Sequence, residues 1–284
     1  MNIKHKIAII STGGTIASSL DSNNEYKSGS ISINEILPKE LTNNIKIYEP
    51  FSVDSSDITP KKLLKLAKLI QKKQEKFDAI IVTHGTDTMC ESAFFMHLVN
   101  KSTVPIIFTG AMRSSNAHDF DGIDNFKFAL ANIDKCGVFI AMNSKLINAS
   151  SVAKVHTTDL DAFCEKRSPN IPQGIFNIPH RLPKTVILYP HSNNCFINLK
   201  VDIIVYAGFG NGTIPQKAKS KLVASNKIII RASICPNGEV LSKIEDESFG
   251  FISSGYFNPL QARILAMLAK EQSREIFTRY AHEI

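Results

Sequence analysis

The chain has 284 residues, 43% hydrophobic and 21% charged, and its 33 Lys and Arg against 26 Asp and Glu give a net charge of +7. At roughly 100–200 residues per domain this is one large or two moderate domains, long enough to bury a core without disulfide or metal staples. The charge keeps the chain soluble without naming a partner, and with no basic run interleaved with aromatics, and neither zinc-finger nor RNP spacing, nucleic acid is not expected as one.

The start, Met1-Asn2-Ile3-Lys4-His5-Lys6, runs straight into the strand-like Ile7-Ala8-Ile9-Ile10. A secretory signal would need a longer apolar region and a small-residue cleavage site, and no window approaches 18 apolar residues, so a cytoplasmic chain with no membrane partner is expected. Cys90, Cys136, Cys164, Cys195 and Cys235 are odd in number, widely spread and form no C-x-x-C pair. That spacing suggests neither a zinc site nor a disulfide framework.

After the first strand comes Ser11-Thr12-Gly13-Gly14-Thr15-Ile16-Ala17-Ser18. Paired glycines let the backbone turn sharply and approach a ligand, and a neighbouring threonine is a nucleophile if a base takes its proton. Taken alone, the segment is more simply an ordinary strand-to-helix turn with a capping threonine. It is not a P-loop, because Gly-Lys-Ser/Thr is missing. Further on, Thr59 suits an N-cap and Pro60 the first helical position, and Leu63, Leu66, Ala67 and Ile70 recur at helical spacing with lysines opposite. The apolar run Ala79–Val82 then reads as a buried strand, and the chain turns polar at Thr83-His84-Gly85-Thr86-Asp87-Thr88-Met89. Hydroxyls for a carboxylate and Asp87 for an ammonium would grip a small zwitterion. Alternatively Thr86, Asp87 or Thr88 caps the following helix, a role compatible with the first.

Val104–Phe108 and Val138–Met142 are further strand candidates. Ala153-Lys154-Val155-His156-Thr157-Thr158-Asp159 follows. A lone Lys is ordinarily a solvated charge, and His156 is more simply a packed or hydrogen-bonded ring than a catalyst. Ser168–Gly174, with Pro179 and Pro183, reads as a linker, after which Thr185–Leu188, Ile203–Tyr206 and Lys227–Ile230 restart the strand pattern. Alternating strands and helices predict two α/β domains. The larger, residues 1–172, has a mainly parallel twisted sheet flanked by helices; 173–184 is a linker and 185–284 a smaller α/β domain. Small polar residues gather after the strands, where open α/β sheets bind ligands.

Taken in order, these segments resemble the bacterial-type L-asparaginase family, the threonine amidohydrolases. Thr12-Gly13-Gly14-Thr15-Ile16-Ala17 is similar to its first signature and His84-Gly85-Thr86-Asp87-Thr88-Met89 to its second. Asp54-Ser55-Ser56-Asp57, Thr109-Gly110-Ala111-Met112-Arg113, Asp121-Gly122, Lys154 and Ala207-Gly208-Phe209-Gly210-Asn211-Gly212 fall in the family's order, so the resemblance spans nearly the whole chain. It implies hydrolysis of the side-chain amide of asparagine, and in some members glutamine, with neither metal nor organic cofactor. It implies Thr15 as nucleophile of an acyl-enzyme, a second group of Thr86, Lys154 and Asp87, and backbone N–H groups near Thr86 as an oxyanion hole. Ser55 would hold the substrate's α-carboxylate and Asp87 its α-amino group, with Gly14, Ser56, Gly85, Thr86 and Ala111 lining the pocket. Asp21–Ser30 resembles the mobile lid, with Tyr26 poised to bond Thr15; a surface loop with an incidental Tyr is the plain alternative.

Ser56 stands where secreted members commonly place Gln, so the chain looks closer to the cytoplasmic branch. The family is commonly tetrameric, which implies a homo-oligomer whose neighbouring subunit adds an Asn and a Glu. Asn211 and Glu245 are the candidates, although the spacing also permits Thr213 and Lys243. Two rival readings remain: a broad glutaminase-asparaginase or related amidase subunit, and an amino-acid-binding sensor on the same scaffold. A sensor would not require the lysine.

Overall fold

The computed structural model describes residues 5–20, 26–27, 44–190 and 199–282. It divides into two compact units, Met1–Glu165 with Gln173–Ile178, and Lys166–Pro172 with Pro179–Ile284. Among the described residues, no helix is long and apolar enough to cross a membrane.

The first unit opens with β1 (Ile7–Ser11), buried along its whole length, and a short ribbon of β2 (Ser19–Leu20) and β3 (Tyr26–Lys27). After β4 (Ile45–Tyr48) comes α1 (Pro60–Gln74), where the Thr59 side chain accepts from the Lys62 N–H as an N-cap. Leu63, Leu64, Leu66, Ala67 and Ile70 turn inward while Lys61, Lys65, Lys68 and Lys72 face solvent. This stripe carries the helix, because a charged outer face needs no packing and an apolar inner face demands it. Then follow β5 (Ala79–Thr83), α2 (Met89–Val99), β6 (Ile106–Thr109), α3 (Gly122–Ala131), β7 (Val138–Met142), β8 (Lys145–Asn148) and an antiparallel pair, β9 (Val152–Lys154) and β10 (Phe163–Glu165). β6 begins two residues later than the apolar run predicts. Pro105 has no N–H for the ladder and contributes only its carbonyl, to Ile80.

The sheet order is β4-β1-β5-β6-β7-β8, parallel except for the edge strand β8. The continuous apolar strands follow from burial on both faces, as a parallel sheet with covering helices requires. The chain leaves β1 for β4 on one side and returns to β5 on the other. The strand order therefore reverses between the parallel β1 and β5, and their carboxyl ends flank the crevice where such folds bind ligands. Residues Gln173–Ile178 return to this unit, with the Gly174 and Phe176 N–H groups donating to the carbonyls of His97 and Leu98.

The second unit has a parallel sheet of β11 (Thr185–Leu188), β12 (Ile203–Gly208), β13 (Ile228–Ser233) and β14 (Phe251–Ser253), in that order. Helices α4 (Gln216–Ala224), α5 (Ile244–Phe249), α6 (Pro259–Ala269) and α7 (Ser273–Tyr280) accompany it. Tyr206, Ile214, Ala218, Leu222 and Phe251 form part of its own core. Both units are α/β, as the alternation of patterns predicts.

Candidate active site

The carboxyl ends of β4, β1, β5 and β6 are drawn together by glycines. Gly13 (φ +96°) and Gly14 (φ +81°) both occupy backbone that other residues rarely adopt. A Cβ on Gly13 would stand 2.5 Å from the Val53 backbone, and one on Gly14 would stand 2.4 Å from Gly85 Cα. One on Gly85 would meet Ser55 Cβ and Oγ at 2.7 Å, and one on Gly110 the His84 carbonyl oxygen at 2.5 Å. Hydrogen bonds continue the stacking: Thr12 N–H and hydroxyl both donate to the Thr83 carbonyl, Gly14 N–H to Val53, and His84 N–H to Thr109. The strand-end segments thus share one layer. Thr15 and Thr86 each follow immediately after one of the touching glycines.

Thr15 opens a single 3-10 turn, with its carbonyl accepting from both the N–H and the hydroxyl of Ser18. Ser55, only 2% exposed, opens another turn, Ser55–Asp57. Ser56 is exposed and its N–H donates to Asp54. Ala111 is buried in the loop after β6. Lys154 ends β9 and places Nζ 2.9 Å from Thr86 Oγ1 and 2.6 Å from Asp87 Oδ1. The hydroxyl, amine and carboxylate implied by resemblance therefore touch, although Lys154 is 67 residues from Asp87. The lysine side chain is 17% exposed and the aspartate 66%.

Helix capping does not account for the Thr86-Asp87-Thr88 segment. Thr88 occupies the N-cap of α2 without capping through its side chain, and its hydroxyl donates instead to the Ser55 carbonyl at 2.8 Å. Thr86 Oγ1 accepts from the lysine. Burial pushes the Cys90 thiol, in the first turn of α2, up to about 12. It stays protonated at neutral pH and supplies no thiolate there. His156 is exposed, and its Nδ1 accepts from the N–H groups of Thr158 and Asp159, a turn-holding role.

Several supporting side chains carry weak sequence signals. The Asp121 carboxylate accepts from the N–H groups of Met112 and Arg113 and from Asn125 Nδ2, which also donates to the Gly110 carbonyl. Arg113 pairs with Asp119 and donates to the Thr158 carbonyl, tying the loop after β6 to the one after Lys154. Asn125 and Ser92 look like ordinary helix residues in the sequence; only their burial, 3% and 2% exposed, marks them.

The lid segment lies outside the described residues apart from Tyr26 and Lys27. The Tyr26 backbone pairs with Leu20, and its side chain also lies outside the description. Among the described residues, no group of three His, Cys, Asp or Glu side chains could hold a metal.

In the second unit, Asn211 lies against Arg231, and Glu245 directly precedes Asp246, the ion-pair partner of that arginine. Arg231 is nearly buried and pairs with Asp246, while also donating to the carbonyls of Asn211 and Leu241. The Asn211 side chain accepts from the Leu241 N–H at 2.7 Å. Glu245 pairs with Lys219 at 2.6 Å, and that hydrogen bond holds its carboxyl below the usual range.

A parallel sheet whose strand order reverses, with a hydroxyl–amine–carboxylate cluster beside the switch point, defines an α/β protein built to act on a small polar molecule. A family model described as "Asparaginase, N-terminal" matches residues 6–178, and "Glutaminase/Asparaginase C-terminal domain" matches residues 188–278. The chain belongs to the asparaginase family of amidohydrolases. It is 33% identical to the probable L-asparaginase periplasmic of Haemophilus influenzae, over 95% of this chain and 89% of that one. Identity is 30% to L-asparaginase 2 of Escherichia coli (96% and 93% covered) and 29% to the glutaminase-asparaginase of Pseudomonas fluorescens (95% and 87%). Among solved structures, the probable cytoplasmic L-asparaginase from Campylobacter jejuni superposes with a TM-score of 0.87 at 31% identity, covering 97% of this chain and 99% of that one.

Proposed function

We propose that this chain hydrolyses the side-chain amide of L-asparagine to L-aspartate and ammonia through an acyl-enzyme on Thr15. The observation that carries the reading is Lys154 Nζ, within hydrogen-bond distance of both Thr86 Oγ1 and Asp87 Oδ1. The Thr15 hydroxyl adds to the amide carbon, its proton departs, and ammonia leaves after its nitrogen is protonated. Water then cleaves the ester. Lys154 relays these protons, Asp87 stabilises its cationic form, and Thr86 orients the attacking group. Tyr26 acts on Thr15 when the lid excludes water.

Ser55 takes the substrate α-carboxylate and Asp87 the α-amino group, in a pocket walled by Gly14, Ser56, Gly85 and Ala111. The enzyme works as a homo-oligomer in the cytoplasm, with Asn211 and Glu245 offered to a neighbouring subunit's site. Activity on both amides is the second reading, favoured by relatives named glutaminase-asparaginase.

Ammonia release from L-asparagine and L-glutamine, for the native chain and Thr15→Ala, tests this. Turnover of asparagine is expected, reduced at least about 10³-fold by the substitution, since a covalent nucleophile accounts for several kcal/mol of barrier. A well-folded native chain that hydrolyses neither amide overturns the proposal, and full activity in Thr15→Ala removes that residue from its role.

A further inference from the structure

His84 lies immediately before the Gly85–Thr86 peptide, is wholly buried, and has no part in the chemistry above. Its Nδ1 is 2.7 Å from the Gly85 carbonyl oxygen and its Nε2 is 2.9 Å from Ser92 Oγ. Burial lowers its pKa to about 4, so the ring is neutral at physiological pH. A neutral imidazole has one N–H, and a carbonyl can only accept. The proton therefore sits on Nδ1, and Nε2 accepts from the Ser92 hydroxyl. The ring also meets Phe108 edge-on, with centroids 5.9 Å apart, and the His84 N–H donates to the Thr109 carbonyl.

The Gly85 carbonyl and the Thr86 N–H share one trans peptide plane and point in opposite directions. Drawing the carbonyl onto the buried ring turns the Thr86 N–H away from it. No described residue accepts a hydrogen bond from that N–H. Gly85, lacking a Cβ, leaves this plane freer to rotate than another residue would. Yet glycine is required there, because a Cβ would collide with Ser55. The orientation of the Thr86 N–H is consequently set by an anchor on the carbonyl side.

We propose that His84 is a positioning residue for amide hydrolysis. Through the chain Ser92–His84–Gly85 it locks the peptide so that the Thr86 N–H is presented as an oxyanion donor. This rests on the hydrolase reading of the site. As the Thr15 oxygen adds to the amide carbon, the carbonyl π pair moves onto the substrate oxygen. A fixed N–H stabilises that charge because it needs no reorganisation at the moment of reaction. His84 transfers no proton.

The test uses the geometry of amide side chains. Asn carries its Nδ2 near the position of the imidazole Nδ1, whereas Gln carries its Nε2 near the imidazole Nε2. His84→Asn retains a donor for the Gly85 carbonyl, and His84→Gln and His84→Leu lose it. With asparagine as substrate, kcat is expected to fall about 30-fold or more in the Gln and Leu variants with KM changed less than about threefold, a fraction of the ~10²–10³ lost with a whole oxyanion donor. His84→Asn is expected to recover most of kcat, although all three variants lower Tm. Ser92→Ala, which keeps the ring but releases its tautomer, is expected to lower kcat severalfold at constant KM, and it decides the matter if the His84 variants fail to fold.

Undiminished kcat in His84→Leu, or in Ser92→Ala should the His84 variants fail to fold, overturns the proposal. So does a kcat that tracks Tm across the variants irrespective of the Nδ donor. A native chain inactive on both amides would instead overturn the hydrolase reading.

Discussion

Gly14 and Gly85 meet main chain to main chain: a Cβ on Gly14 would lie 2.4 Å from both the Cα and the N of Gly85. The contact packs the segment after β1 against the segment after β5, so the two threonines that follow are carried on two backbone segments in direct contact. Hydroxyls from separate strands gain a fixed spacing this way without any side-chain bridge between them.

Gly14→Ala should therefore be severe. Its φ of +81° with ψ −177° is backbone that essentially only glycine adopts, costing an L-residue about 1–3 kcal/mol, and the collision with Gly85 forces the two segments apart. Asparagine turnover is expected to fall at least about 10²-fold, the scale of a misplaced reacting group. Gly250→Ala is the control for a positive φ without a collision: its φ of +72° and ψ of 15° are left-handed helical backbone, and nothing lies within 4 Å of the added Cβ. It should lose some thermal stability and keep its activity. Equal activity in the two variants would show that the Gly14–Gly85 contact does not organise the site.

Lys154→Met keeps the length of the side chain and removes its ammonium from Thr86 and Asp87. The expected result is a kcat lowered by about 10²–10⁴, the range for loss of a proton-transfer group, with a much smaller change in KM. Steady-state kinetics separate the two parameters. A rise in KM alone would make Lys154 a binding residue.

His84 links folding to pH. Its folded-state pKa of about 4 lies below the ~6.5 of an unfolded imidazole. Between those values the unfolded chain holds a proton that the folded chain rejects. Stability from this group is complete above about pH 6.5 and is lost as the pH falls toward 4, by an amount on the order of 3 kcal/mol. Urea unfolding at pH 7 and pH 4.5 should show a steeper acid loss for the native chain than for His84→Asn, which has no ring to titrate. Parallel losses would contradict the depressed pKa.

Arg231 and Asp246 form a nearly buried ion pair in the second unit. Arg231→Met strands the carboxylate and is expected to cost about 3–5 kcal/mol, whereas Arg231→Met with Asp246→Leu should cost less than the single change. Urea midpoints of the three proteins check this ordering. A double variant less stable than Arg231→Met would show the pair to be stabilising beyond mutual neutralisation.

Much of the fold is legible in the sequence. Ile7–Ile10 and Ala79–Val82 are uninterrupted apolar runs because a parallel sheet is buried on both faces, and α1 declares itself through Thr59, Pro60 and its lysine-backed stripe. The two-residue β2 and β3 and the short β4, β8, β9 and β10 carry too few residues for a period to emerge. The Thr83–Met89 segment shows residues with chemistry but not their employment. Its capping and ligand-gripping readings use the same side chains, and only the packed geometry shows Thr88 turned to Ser55 and Thr86 to Lys154.

The sequence by itself determined the local conformations: which runs are strands, where glycine permits left-handed backbone, and the order of segments resembling those of a known family. It could not determine that Lys154 meets Asp87, that Asp121 holds the loop at Met112 and Arg113, or that His84 faces Gly85 and Ser92. Those relationships join residues from different elements, or choose among rotamers and peptide orientations that the local chain leaves open. Tertiary packing made the choice, because buried donors and acceptors must find partners once water is removed.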